Sequence, residues 1–419
     1  MSVVTRWLVI GGGTAGCVVA SRLSEDPTND VVLLEAGPDH GPESPFDRGG
    51  PLLSEPSRMV AGLEVVRRPG SEPVPYPQGL GLGGTSLISG TLASPDPEFF
   101  EIAHLMPLEQ ADRMGTLGTA VLDADPRARP ALFTRSGGQR VTVADAYLRP
   151  ALRRTNLMVV TGSPVVQLGL DRWRVDRAIT ADGIEYRADR FVVCAGAIGT
   201  PALLLRSRLD TPGVGYGLQD HPACAIAVEM NAGADVDAPV LSVVLDRPGS
   251  QIVPLNHVPG APGFGALQAG LMAVTSEGRV SLPSGDGQPV VELNQLTTEA
   301  DIAGLTEVVA DAMRLFEAES MVEVVRGAYL DDHGTPAGSI AGDRDAIRAW
   351  VVDNVTGFHH LSSSCREGVV TDPFGGVLGY GGLFICDASL FSKSPIRNPY
   401  LPVIQLAERL TRHWRATDV

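Results

Sequence analysis

The chain has 419 residues, a hydrophobic fraction of 44% and a formal net charge of −16. That length exceeds one ordinary core and points to two domains. The acidity excludes nucleic acid or an anionic membrane surface as the main partner, and abundant Gly and Pro exclude a plain helical bundle.

The first element pair is "RWLVIGGGTAGCVVASRLSED", a buried strand, a glycine turn and an amphipathic helix, followed by the buried strand "DVVLLEAG". Gly11 permits the tight turn, Gly13 lets backbone approach a pyrophosphate, and Gly16 lets helix and strand pack closely. Thr14 and Ala15 open the helix, whose N-terminus offers amide donors and a positive dipole end. Glu35 ends the second strand about 20 residues on, where a carboxylate accepts ribose hydroxyls. A dinucleotide site follows, with NAD(H) and FAD both open at this point.

Four more segments stand out along the chain: "GLGLGGTSLISG" (79–90), "RFVVCAGAIGTPALLLRS" (190–207), "GVGYGLQDHP" (213–222), and the stretch 359–410 from "HHLSSSCREG" to "NPYLPVIQLAERL". Between 226 and 354, alternating runs such as "AIAVEM", "VLSVVL", "QIVPLNHV", "GLMAVTSEGRVSL" and "PVVELNQL" read as one antiparallel sheet. "DIAGLTEVVADAMRLFEA" reads as a helix packed on it, with Met272 and Met313 as core fillers. The five cysteines, Cys17, Cys194, Cys224, Cys365 and Cys386, form no CxxC and read as buried free thiols of a reducing compartment. No run is long and apolar enough to span a membrane, so a cytoplasmic protein with no transmembrane segment is expected.

These segments, in this order, resemble the glucose–methanol–choline (GMC) oxidoreductases, which carry FAD. "GGTSLISG" is similar to the family's G-G-S-S-x-x-N-G loop, "GLQDHP" to its N-L-Q-D-H-P, "HLSSSCREG" to H-P-V-G-T-C-R-M-G, and "NPYLPVIQLAER" to N-P-x-x-T-x-x-x-L-A-E-R. The resemblance implies an α/β Rossmann-type FAD-binding domain, discontinuous over 1–105, 155–225 and 355–419. It implies an α+β substrate domain with an antiparallel sheet, with its connecting segments, over 106–154 and 226–354. Gly84, Ser86, Ser89 and Gly90 are the flavin-loop positions it assigns, and Val165 meets adenine through its backbone. Ala195 and Gly196 pass close to the cofactor, while Asp387 and Ala388 face the ribityl–phosphate chain, with Asn398 and Pro399 beyond them.

Three readings compete for His359 and His360: metal ligands, structural histidines, or a general base. No HExxH, cysteine cluster or acidic run accompanies the pair, so no metal is expected. Under the family resemblance an alcohol gives its hydroxyl proton to a base and its hydride to flavin N5. Register on "CREG" puts His360 at the base position, with His359 facing the cavity or bracing its neighbour. Register on "QLAER" puts Asn398 at the second polar position, with Tyr400 the competitor should that register shift.

The pattern also breaks. Ser89 stands for the family's Asn, and Gln78 or Gly79 for a basic residue. Ile88 stands where some members attach FAD through His, so non-covalent FAD is expected. The stretches 40–75 and 105–140 are short for the family, which implies a reduced lid. The expected partners are a small-molecule alcohol and an unidentified electron acceptor (oxygen, quinone or redox carrier). Shortness, composition and the double His resemble a mycofactocin-associated subgroup. A hydroxynitrile-lyase-like or non-catalytic flavin-binding protein is the alternative; an NAD(P) dehydrogenase leaves the C-terminal signature unexplained.

Overall fold

The structure is a computed structural model, and it describes residues 4–41, 56–94, 105–209, 211–283 and 287–417. Residues 42–55, within the stretch read as shortened, lie outside the described residues. So do residues 95–104, next to the expected domain junction at 105.

In chain order, the first unit is β1 (Thr5–Ile10), α1 (Thr14–Leu23) and β2 (Asn29–Leu34). Helix α2 (Thr116–Ala124) and β3 (Ala128–Pro130) precede β4 (Leu157–Val160), β5 (Arg190–Val193) and α3 (Gly196–Arg206). The middle of the chain forms β6 (Tyr216–Leu218), β7 (Pro222–Met230), β8 (Val243–Arg247), β9 (Ser250–Leu255) and β10 (Phe264–Leu271). It continues through β11 (Gly278–Ser281), β12 (Val290–Glu292), α4 (Glu299–Leu315), β13 (Val325–Tyr329) and α5 (Arg344–Asn354). The chain ends in β14 (Leu383–Ile385) and α6 (Tyr400–Ala416).

One sheet is wholly parallel, in the order β4-β2-β1-β5-β14. Its central strand shows why: Trp7, Leu8, Val9 and Ile10 are all buried, the continuous apolar run of a strand covered on both faces. Helices α1 and α6 pack together beside it, and Trp7 stacks on Trp414 of α6 with ring centroids 5.8 Å apart. Arg22 and Glu408 pair across these two helices at 2.8 Å.

The second sheet is antiparallel, in the order β13-β7-β10-β9-β8-β3, and Thr356–Gly357 pairs with the start of β7. Helix α4 lies on it, burying Leu305, Val308, Val309, Ala312 and Met313, as its spacing predicts. Met272 and Met313 are both buried. The run "GRVSL" and the run "PVVEL" depart from expectation. They form β11 and β12 of a separate three-stranded sheet with β6. Long-range pairing decides this: β6 supplies the partner edge, and Val66 donates its N–H to the Val291 carbonyl (2.8 Å).

The glycine turn after β1 sets how closely α1 meets the sheet. A Cβ on Gly16 would overlap the Gly11 carbonyl oxygen, and one on Gly11 (φ +101°) would lie 2.6 Å from the Cys194 carbonyl oxygen. Gly16→Ala should therefore lower folding stability by about 1–3 kcal/mol, the usual scale of core overpacking. Gly338→Ala, whose Cβ meets nothing within 4 Å, should leave the urea midpoint nearly in place. Equal midpoints for the two variants would contradict this packing.

Candidate active site

The turn Gly11–Gly13 and Glu35 form one hydrogen-bonded unit. Glu35 Oε2 accepts from the Gly12 N–H (2.6 Å), and Oε1 accepts from the N–H groups of Gly37 (2.8 Å) and Gly81 (3.2 Å). Burial lifts this carboxyl above its ordinary range, against the lowering effect of those amides. Three of roughly four acceptor positions of a carboxylate are thus engaged by backbone amides. Helix α1 begins after Gly13 with no side-chain cap, so its first-turn donors are left for an anion. Val165 opens the strand after Gly162 and Ser163, whose amides donate to the carbonyls of Gly37 and Glu35.

The loop 79–90 lies against this turn. Gly83 donates its N–H to the Gly12 carbonyl (2.8 Å), and a Cβ on Gly84 would sit 2.7 Å from Gly13 Cα. Ser86 is buried and donates to the Gly83 carbonyl. Arg140, which sequence reasoning missed, is buried and donates to the carbonyls of Ser86 (3.1 Å) and Ser89 (2.6 Å). It belongs to a different segment, and no local pattern marks it. Ile88 is buried and apolar; Gly90 follows Ser89 at the end of this turn.

A third cluster joins the ends of β5 and β14. Asp387 Oδ2 accepts from the Gly196 N–H (2.9 Å) and the Thr200 hydroxyl (2.5 Å), while Oδ1 accepts from the Ser389 N–H (2.8 Å). Ala195 donates its N–H to Thr200 Oγ1, and the Ala388 carbonyl accepts from the Ser363 N–H. Burial raises the Asp387 carboxyl above its usual range.

The histidines sit where the segment 356–365 runs antiparallel beside 218–223. Phe358 donates its N–H to the His221 carbonyl, and the backbones of Gln219 and Ser362 exchange both hydrogen bonds at 3.0 Å. Asp220 Oδ1 accepts from two backbone N–H groups at once, those of His221 (2.8 Å) and His360 (2.6 Å). His359 is not extended: its φ of 62° is left-handed, which turns its ring edge-on to Tyr76 at 5.0 Å. The imidazole that touches His360 is instead His221, with the two Nδ1 atoms 2.9 Å apart. The His360 ring also stacks on Phe358, centroids 5.6 Å apart, and a Cβ on Gly270 would fill the space of that phenyl ring.

Burial keeps all three imidazoles neutral. His221 and His359 are each pushed down to about 4, Arg67 adding to the effect at His359. His360 is held well below its ordinary value by burial, then by His221 and His359. Burial lifts Asp220 to about 7 against the pull of its two amides. Asn398 is buried just before α6 and donates from Nδ2 to Ser94 Oγ at 3.3 Å; Pro399 caps the helix. Among the described residues no hydrogen bond joins Asn398 to either His359 or His360, and Tyr400 packs against the core at the first position of α6. Nor does any group of three His, Cys, Asp or Glu side chains there suit a metal ion.

A parallel sheet carrying a glycine turn, joined to an antiparallel sheet, with a buried histidine between them, defines a dinucleotide-dependent oxidoreductase architecture. The chain belongs to the GMC oxidoreductase family, whose models match residues 130–223 and 274–407, together over half of it. It is 28% identical to a GMC-type oxidoreductase in the thcA 5′ region of Rhodococcus erythropolis, covering 96% of this chain and 97% of the relative. It is 26% identical to human mitochondrial choline dehydrogenase, over 96% of this chain and 88% of that one. Pyridoxine 4-oxidase from Mesorbium loti shares the fold, with a TM-score of 0.85 at 21% identity over 99% of both chains.

The depressed His359 sets a pH dependence of stability. Between its ordinary 6.5 and about 4 the unfolded chain binds a proton that the folded chain does not. Its contribution is complete above 6.5 and is lost as pH falls through about 4. Asn tolerates a positive φ and does not titrate. His359→Asn should therefore lose about 2 kcal/mol less stability than the wild type between pH 7 and pH 4, discounting the group's partial exposure. Equal losses in urea titrations at the two pH values would contradict the burial of a neutral His359.

Proposed function

We propose that this chain oxidises the CH–OH group of a small alcohol with non-covalent FAD, and that His360 is the base. The observation carrying this reading is the state of His360. It is half-buried and held neutral by desolvation, its Nδ1 is engaged by His221, and its Nε2 has no hydrogen-bond partner among the described residues. Relatives named for choline, 5-(hydroxymethyl)furfural and pyridoxine take molecules that carry a hydroxyl group, which supports an alcohol donor.

The residues present fit FAD. The uncapped start of α1, at Thr14, Ala15 and Gly16, would hold the pyrophosphate, and Glu35 the adenosine ribose. Val165 would meet adenine through its backbone. Gly84, Ser86, Ser89 and Gly90, with Ala195 and Gly196, would let backbone pass beside the flavin. Asp387 and Ala388 would face the ribityl–phosphate chain, and Asn398 and Pro399 would close the site. Ile88 offers no atom for a covalent link, which supports dissociable cofactor. Bound FAD would supply the hydride acceptor.

The chain's own part is the proton. A free alcohol is too weak an acid at neutral pH, so a neutral imidazole in hydrogen-bond reach of the hydroxyl takes the proton as the carbonyl forms. Asn398 is the second polar group proposed for that oxygen.

His360→Ala should keep its flavin and lose roughly 10²–10⁴ in the rate of anaerobic flavin bleaching by an alcohol. If His359→Ala loses that rate instead, the base is assigned one residue out of place. Glu35→Ala should weaken FAD retention, read as a higher Kd in flavin-fluorescence titration, without altering preference among alcohols. An unchanged Kd would contradict the ribose assignment. A flavin that no alcohol in a broad panel bleaches would overturn the oxidase or dehydrogenase reading itself.

A further inference from the structure

We propose that His221 is a positioning residue that holds His360 in its Nδ1–H tautomer, so that Nε2 presents the lone pair to the alcohol. The inference rests on the reading of His360 as the base.

Two neutral imidazoles facing each other Nδ1 to Nδ1, at 2.9 Å, share one proton: one ring donates and the other accepts. For His360 to take an alcohol proton at Nε2, its own proton must sit on Nδ1, so His221 Nδ1 accepts and the His221 proton belongs on Nε2. That Nε2 lies 3.0 Å from Ser394 Oγ, which can accept it. The backbones of Pro395 and Met272, which favour a protonated His221 ring, agree with a donor on that side.

The frame around this pair has one direction as well. Gln219 donates from Nε2 to the carbonyls of Val274 (3.2 Å) and Ser276 (3.4 Å), which turns its Oε1 to the Ser394 N–H (2.9 Å). Ser394 is thereby fixed against His221. Asp220 holds the backbone amides of both histidines from one oxygen, so the two rings cannot drift apart without breaking that clamp.

Orientation of a catalytic imidazole by a carboxylate would also raise its basicity. A neutral imidazole sets the tautomer without adding charge. The charged or titratable groups around the pair are Asp220 on the adjoining segment, His359 on the same loop, and Arg67 and Tyr76 beside them.

The test uses the FAD-loaded full chain with ¹⁵N-labelled histidine. Long-range proton–nitrogen correlation at pH 7 should show His360 protonated at Nδ1 and bare at Nε2, and His221 the reverse. His360 protonated at Nε2 would overturn the proposal. This readout needs no variant beyond those used for assignment, and it stands apart from the choice of base. If the tautomers are as stated but His360→Ala bleaches at the wild-type rate, the base assignment fails and the positioning proposal with it.

Variants give a second arm. His221→Leu should lower kcat by about tenfold to a hundredfold with little change in KM. His221→Asn, whose Oδ1 can accept where Nδ1 did, should restore most of that loss. His221→Asp should shift the acid limb of the kcat/KM profile to higher pH, since a carboxylate favours the protonated base. Equal losses in Leu and Asn with an unmoved limb in Asp would mean a packing role only, and would overturn the proposal.

Discussion

A single buried oxygen, Asp220 Oδ1, accepts the backbone amides of His221 and His360, residues far apart in the chain. Everything chemical in the site hangs on that clamp. It docks the loop carrying His359 and His360 onto the start of β7, and the pairing of Thr356–Gly357 with the same strand continues the seam. Glu35 plays the matching role on the parallel sheet, gathering amides from Gly12, Gly37 and Gly81. In both places a carboxylate is buried at a desolvation cost and repaid by charge-assisted hydrogen bonds to backbone. What is gained is position: loops that carry no regular structure are held to a defined geometry.

Neutrality is the second feature of the site. Burial holds His221, His359 and His360 below their ordinary values, so the imidazoles can be packed together without mutual repulsion. A neutral base is also a competent one, because the lone pair is free over a wide range of pH. Leu361 and the buried serines 362–364 fill the stretch after His360 where the family's motif carries Pro-Val-Gly-Thr. Ser364 donates to the Ala197 carbonyl (2.6 Å), and the backbones of Ser363 and Cys365 donate to the turn at Ala388 and Ser389. These bonds tie the histidine loop to the turn after β14, so a departure from the motif still yields an ordered loop.

The parts readable in the sequence were those governed by local rules. Gly11, Gly13, Gly16 and Glu35 announce a βα unit because turn geometry, close packing and a strand-end acid all fall within about 25 residues. Helix α4 and the parallel core strands follow from apolar spacing. The rest depends on contacts distant in sequence. The split of "GRVSL" and "PVVEL" from the main sheet needs β6 as a partner, and periodicity alone carries no partner. His221 sits in the quoted motif "GLQDHP", yet its bond to His360 follows from the pairing of two remote segments. His359 and His360 are adjacent in the chain. Their two rings part company because His359 is left-handed, and alternation along a strand does not foresee that turn. Arg140 braces the loop 79–90 and Gly270 leaves room for the Phe358 ring, and neither leaves a motif.

The central claim is a half-buried, neutral histidine acting on an alcohol beside FAD, and the pH dependence of anaerobic alcohol-driven bleaching tests it most directly. Because His360 is held well below 6.5, the bleaching rate constant should stay level from pH 7.5 through pH 6.5 and fall only at more acid pH. A rate already halved at or above pH 6.5 would mean a solvent-exposed or charge-paired base, and would contradict the account.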